Sequence, residues 1–480
     1  MKKFDLLLLT IVIIVAFVVR LYKVNTPLAD FHSWRQVDTS AVTRNFVRDG
    51  IDFLHPRYDD LSSIETGLEN PQGYRMVEFP IYNAIVATFV KTAPFLTVEE
   101  WGRVTTNLFS LIIIAVIYYL ARREVGTMAA LASSLTYAVF PFFIFFSRVV
   151  LPDTTAVACS FAAIFFLYKW RETKNTVSQL LCFIFSIVFF AASLLIKPTV
   201  IFYAVPLLFI FFYKYRLAII KKPAGYLFFV FGFLPLILWR RYILAFPEGI
   251  PASDWLFTSV NTYEGLKNIF FRPAFFRWIF FERINNHILG GYLTFFLGLG
   301  IISRLKTYFI HVIAASALLY LLVFQGGNVQ HEYYQIIVLP ALALLVGVGL
   351  STTVTGAKHF LHPLITIPVV VSFVALSAFF SYYTVKDFYE YPKELPQIAR
   401  VINELTNDKD RIVTDRVGDT TLLYLTGRRG SPAFYKDIPE LKKLGYTHFV
   451  TLHKETATDV ELKYKLPILF QSNEFTLFSL

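Results

Sequence analysis

The stretch PLADFHSWRQVDTSAVTRNF, residues 27–46, brings Asp30, His32, Trp34, Arg35 and Asp38 within nine positions of one another. A carboxylate there could take a proton from a hydroxyl, a guanidinium could hold a phosphate, and an indole could stack on a sugar ring. The structural alternative is a capped surface helix running to about Val47 on an apolar stripe of Val37, Ala41, Val42 and Phe46. In that reading Asp30 accepts the first backbone amides and Asp38 pairs with Arg35 or Arg44.

More chemistry-bearing residues lie at the ends of apolar runs. Asp153 follows Pro152 at the head of one, Arg148 precedes it by five positions, and Lys197 closes another. Glu78 stands in VEFP, and His331, Glu332 and Tyr333 stand in QHEYYQ. Each has an ordinary explanation. A carboxylate suits a helix N-terminus, long cations snorkel to headgroups, and tyrosines form aromatic belts. Together they make a ring of cations and acids at one membrane surface, as binding a lipid-linked phosphate requires. Arg35, Arg148 and Lys197 would neutralise the anion, and Asp30, Asp38 or Asp153 would work on the acceptor. His32, Trp34, Glu78, His331 and Tyr333 would support the substrate or a metal. A histidine with two or three carboxylates could hold a divalent cation, although the spacing matches no recognised metal motif; no other cofactor is indicated.

The elements that position these residues follow from composition. Of 480 residues 56% are hydrophobic and 16% charged, and the mean hydropathy is +0.55; a soluble domain carries more charge. Repeated apolar runs long enough to cross about 30 Å of hydrocarbon imply a polytopic helical membrane protein. About eleven spans are expected: 5–22, then about 104–121, 126–146, 154–169, 178–196, 198–213, 224–245, 288–302, 307–324, 335–351 and 361–380. The N-terminal basic start has no small-x-small cleavage site after it and reads as a retained first span. The short basic loops LARREVG, YKWRETK, YKYRLAIIKK, SRLK and GAKH share the retained, cytoplasmic face. That assignment holds if 78–96 lies along the membrane surface or dips into it without crossing. The net charge of +11 is then a matter of topology and gives no sign of a nucleic-acid partner. Cys159 and Cys182 sit in apolar runs and are expected simply to pack.

The outer face receives the long first loop (23 to about 103), the turns SRVVLPD and IKP, the loop 246–287, the turn QGGNVQHEYYQ and the tail. From 385 the tail alternates helix and strand: a helix in YPKELPQIARVINEL, a strand at RIVTD, a helix in TTLLYLTG, a helix in IPELKKLG, a strand at YTHFVTL and a last pair around PILFQSNEFTLF. The expected organisation is a membrane domain over 1–384 and a small external α/β domain over 385–480.

Four segments, in order, resemble the GT-C type of polytopic glycosyltransferases, specifically the protein O-mannosyltransferase and lipid A aminoarabinose transferase relatives. VEFPIYNAIVATFV is similar to that family's acid-x-Pro segment and dipping helix, and RVVLPDTTAVACSFAAIFF to its Asp-bearing turn. SLLIKPTVIFYAVPLLFIFF is similar to its Thr-Lys-Gly/Pro element, and HEYYQIIVLPALALL to its tyrosine-bearing turn. The resemblance covers about residues 1–350. It implies transfer of a sugar from a polyprenyl-phosphate carrier to a lipid, glycan or protein acceptor on the outer face of a bacterial cytoplasmic membrane. It also implies an aspartate base in the first external loop. This chain departs from the family there: counted back from RDG, the family's Asp-Glu pair falls on Arg35 and Gln36, so the role passes to Asp30 or Asp38, with Asp30 preferred at the helix mouth. The competing class is a polytopic transporter or lipid-linked sugar flippase, which would need ionisable groups near the bilayer midplane and broken helices in matched halves.

Overall fold

A computed structural model describes residues 3–251, 271–357 and 362–480. Residues 252–270, inside the expected loop 246–287, and 358–361, across the GAKH loop, lie outside the described residues. The chain is a polytopic helical protein with a small C-terminal sheet, and it divides into two compact units. One gathers the described residues of 1–24, 103–239 and 254–388. The other gathers those of 25–102, 240–253 and 389–480.

In the first unit every expected span is met by helix, among them Lys3–Val19, Val98–Glu124, Asp153–Glu172, Thr176–Ile196, Pro223–Ile243, Leu339–Ala357 and Pro363–Val385. Leucines and isoleucines such as Leu6, Ile11, Ile14, Leu180 and Ile365 remain exposed on these helices, the surface that lipid covers. Three spans are irregular for local reasons. Pro141 divides 126–146 into Thr127–Val139 and Pro141–Phe146, because proline cannot donate into the preceding turn. Lys197 is extended, and Pro198 after it opens a 3₁₀ turn, Pro198–Tyr203, before the helix Ala204–Tyr215. Gly290 and Gly291, both at positive φ, separate a π-helix, Arg277–Ile288, from the helix Leu293–Ile302.

Small residues set the packing. A Cβ on Gly347 would fall 1.9 Å from Ser133 Oγ, and one on Gly349 would fall 1.8 Å from the Phe296 carbonyl oxygen. The helix Leu339–Ala357 can therefore lie against both Thr127–Val139 and Leu293–Ile302 only with glycine at these positions. Arg20, 1% exposed, ties the end of the first span to both sides of the Pro141 break, through Ser147 Oγ (2.6 Å) after it and the carbonyls of Ala138 and Tyr137 (both 2.8 Å) before it.

The second unit is built on a five-stranded sheet, β1 Arg411–Thr414, β2 Arg429–Ser431, β3 His448–Thr451, β4 Ile468–Gln471 and β5 Thr476–Ser479, in the order β2-β1-β3-β5-β4. The three strands joined through helices are parallel, and the β4–β5 hairpin is antiparallel. Alternation along the strands sends Ile412, Val450 and Leu477 to one face with Leu395, Ile398 and Leu423. Val413, Phe449 and Phe478 go to the other with Leu441 and Val460. The first loop belongs to this same unit. Its residues 59–61 extend the sheet at β2, with the Gly430 amide donating to the Asp59 carbonyl (2.8 Å) and the Leu61 amide to the Gly430 carbonyl (2.7 Å). Ala29 is buried in the tail's own core cluster. The helix Ile81–Thr92, within the 78–96 segment, has 12 residues. At about 1.5 Å per residue it spans roughly 18 Å, short of a bilayer crossing.

Candidate active site

In the first unit Asp153 is the first residue of the helix Asp153–Glu172 and is completely buried. Lys197 Nζ lies 3.5 Å from Asp153 Oδ1, and Lys197 is 7% exposed. The extended backbone at Lys197, forced by Pro198, turns the side chain away from its own helix and brings the two together. The same ammonium lies 5.9 Å from the ring centroid of Tyr334, within cation–π range. Tyr333, the tyrosine singled out from sequence, is stacked between His331 (centroids 5.4 Å) and Tyr334 (4.6 Å). That turn is held rigid by Tyr320 Oη, which donates to the Tyr334 carbonyl at 3.0 Å, and by the Gln335 amide, which donates to Asn328 Oδ1 at 3.0 Å.

Two other charges of this unit have partners that sequence did not indicate. Glu332 forms a buried ion pair with Arg283, a cation on the π-helix. Arg148 is completely buried, and Nη1 donates to the carbonyls of Tyr22 (3.4 Å) and Lys23 (3.2 Å). Instead of snorkelling to headgroups, Arg148 joins the end of the first span to the turn that carries Asp153.

In the second unit the helix begins at Ser33, three residues later than its acidic start suggested, because His32 before it is left-handed (φ 58°, ψ 36°). Asp30 is 2% exposed and accepts from the Gln36 side-chain amide at 2.7 Å. Arg35 forms an ion pair with Glu78, uniting the helix with the VEFP segment. Asp38 does not pair with Arg35 or Arg44. Its Oδ2 meets Arg75 Nη2 at 2.9 Å, and its Oδ1 accepts from Thr420 Oγ1 at 2.6 Å. Burial pushes the Asp38 carboxyl up to about 6, against the opposing pull of Arg75. Arg44 instead binds Asp59 at 2.6 Å and lies over the ring of Tyr424 at 4.5 Å. Trp34 presents its backbone carbonyl to Thr420 Oγ1 at 3.5 Å.

Sequence reasoning missed Gln36, Arg75, Arg283, Tyr334 and Thr420. Tyr334 was one position from the residue chosen, and Gln36 was set aside only because an amide cannot be a base. Arg75 and Thr420 carry no sequence signal, since their link to Asp38 exists only after folding. Among the described residues no group of three or more His, Cys, Asp or Glu is gathered as a metal site.

Residues 80–239, which include Asp153 and Lys197, match the family model for dolichyl-phosphate-mannose-protein mannosyltransferase. No curated protein matches the chain by sequence. Among solved structures it is similar to ArnT from Cupriavidus metallidurans bound to undecaprenyl phosphate, at 14% identity over 99% of this chain and 97% of that one, with a TM-score of 0.66. The apo form of the same protein gives 13%, the same coverage and 0.67. The archaeal oligosaccharyltransferase AglB from Archaeoglobus fulgidus, in complex with an inhibitory peptide and a dolichol-phosphate, matches at 12% identity over 94% of this chain and 69% of that one, with a TM-score of 0.59. The chain thus has the fold of the GT-C membrane glycosyltransferases, and its residues 80–239 resemble the dolichyl-phosphate-mannose-protein mannosyltransferase family.

Proposed function

We propose that this protein transfers a sugar from a polyprenyl-phosphate carrier to a hydroxyl-bearing acceptor, a lipid, glycan or protein, at the external face of the cytoplasmic membrane. The observation that carries the reading is the buried Lys197–Asp153 pair inside the family segment. A buried ammonium is costly to maintain, and a site that must neutralise a phosphate has a use for one. The carriers in the ArnT and AglB structures, undecaprenyl phosphate and dolichol-phosphate, support this class of donor.

In the reaction the acceptor oxygen bonds to the sugar's anomeric carbon while the carbon–oxygen bond to the phosphate breaks. The acceptor proton passes to a carboxylate, and polyprenyl phosphate leaves with the bonding electrons. We assign the proton to Asp30, which the Gln36 amide orients beside the first turn of the helix. Lys197 neutralises the leaving phosphate, and Asp153 holds Lys197 for that task. Most of the acceleration would come from fixed charges and from placing acceptor and donor together.

The test replaces Asp30 with Asn, Asp153 with Asn and Lys197 with Ala singly, and measures sugar release from a polyprenyl-phosphate-sugar extract. Asp30→Asn should cost on the order of 10²–10⁴-fold in rate. Wild-type rates in all three variants would overturn the mechanism.

A further inference from the structure

Thr420 and Thr421 follow β1 and the loop 415–419, at the start of the short helix Thr421–Thr426, and both are buried. A threonine in this place usually turns its hydroxyl back onto its own helix. Thr420 makes no such cap; Asp419 Oδ1 instead accepts from the Thr421 amide at 2.8 Å. The Thr420 hydroxyl is donated to Asp38 Oδ1 at 2.6 Å, and the Thr421 hydroxyl to Ser33 Oγ at 2.9 Å. Two adjacent tail hydroxyls therefore hold the first turns of a helix nearly 400 positions earlier in the chain.

Those turns need an external hold. The residue before Ser33 is His32 in the left-handed region, a strained conformation for a residue other than glycine. From the same turns Gln36 reaches back past His32 to Asp30, and to the Phe31 carbonyl at 3.0 Å. Arg44 continues the grip one turn and a half further on, donating to the Tyr424 carbonyl at 2.9 Å.

We propose that Thr420 and Thr421 are positioning residues for Asp30, acting through Asp38, Ser33 and the first turn of the helix Ser33–Asp49, so that the C-terminal sheet is part of the catalytic apparatus and not an appended module. This rests on the assignment of Asp30 as the proton acceptor. A helix start that shifts carries Gln36 with it. Displacement of a reacting group by about 1 Å can cost roughly 10²-fold in rate.

The experiment uses the full chain in detergent with a polyprenyl-phosphate-sugar extract as donor. Thr420→Val keeps the shape and removes the donor proton. It should lower kcat at least about tenfold, leave KM for the donor and the Kd for undecaprenyl phosphate unchanged, and be rescued by Thr420→Ser. Ser33→Ala removes the second contact from the other side and should lower kcat in the same way; it decides the matter if Thr420→Val does not accumulate. Wild-type kcat in the variants, a loss confined to KM, or a Ser variant no better than Val would overturn the proposal. Asp30→Asn run in parallel separates the two ideas. If it stays active, the base assignment fails; if it is dead while Thr420→Val and Ser33→Ala turn over normally, only the positioning role fails.

Discussion

Asp38→Asn separates the two aspartates of the first loop on both stability and rate. In the folded chain the Asp38 carboxyl is raised from its ordinary 3.8 to about 6, chiefly by burial. At about 1.4 kcal/mol per pH unit, the ionised form stands at a disadvantage of about 3 kcal/mol relative to the unfolded chain. The folded state binds this proton more tightly than the unfolded one. Stability therefore rises as pH falls from about 6 toward 3.8, and the full penalty is present above pH 6. Asparagine mimics the protonated form and can still accept from Thr420. Removing one partner of a buried pair ordinarily costs several kcal/mol because the other charge is stranded, but Arg75 keeps its ion pair with Glu65 and its place over the Tyr58 ring at 4.8 Å. Relief of burial should win. Asp38→Asn should be the more stable protein at pH 7.5 by up to about 3 kcal/mol, or roughly 3 °C in Tm for a chain of this length, with the gap shrinking to about 1 kcal/mol at pH 4.5. Tryptophan-fluorescence melts of both proteins in detergent at pH 4.5, 6 and 7.5 read this directly. The same variant should still transfer sugar. A less stable Asp38→Asn at pH 7.5, a gap independent of pH, or loss of transfer equal to that of Asp30→Asn would refute the reasoning.

Further expectations concern the first unit. Lys197→Ala should weaken undecaprenyl phosphate binding by about 10–100-fold, the value of one charge-assisted contact, as measured by titration in detergent. Arg20→Ala strands the carbonyls of Ala138 and Tyr137 in an apolar interior and should lower thermal stability by at least about 3 kcal/mol. Arg20→Lys should recover only part of it, since an ammonium cannot reproduce the planar fork. Gly347→Ala places a methyl carbon 1.9 Å from Ser133 Oγ and should reduce the yield of folded protein in membranes, whereas Gly356→Ala, in open space on the same helix, should not.

The helices were legible because apolar runs of span length admit few other structures in a membrane, and the tail because helical and strand segments alternate along it. Asp153 and Lys197 were legible as charges at span ends, where proline marks the turn. The pairing of Asp38 was not. A helix sequence advertises neighbours three and four residues away, such as Arg35, while Arg75 and Thr420 arrive from other segments of the chain. Nor was the union of the first loop with the tail legible. Residues 59–61 carry no strand pattern, and they meet Gly430 at the sheet edge through backbone hydrogen bonds, which leave no hydrophobic signature. β2, three residues long, was hidden behind the glycine that ends the preceding helix.

In the proposed transfer a bond between sugar and carrier phosphate is broken and remade to an acceptor. The direct measurement reconstitutes the purified protein in vesicles loaded with a polyprenyl-phosphate-sugar extract and follows the carrier and its sugar by mass spectrometry. Free polyprenyl phosphate should appear in step with a glycosylated acceptor, and Asp30→Asn should abolish both. Intact glycosyl carrier moved across the bilayer, with no free polyprenyl phosphate formed, would contradict the account.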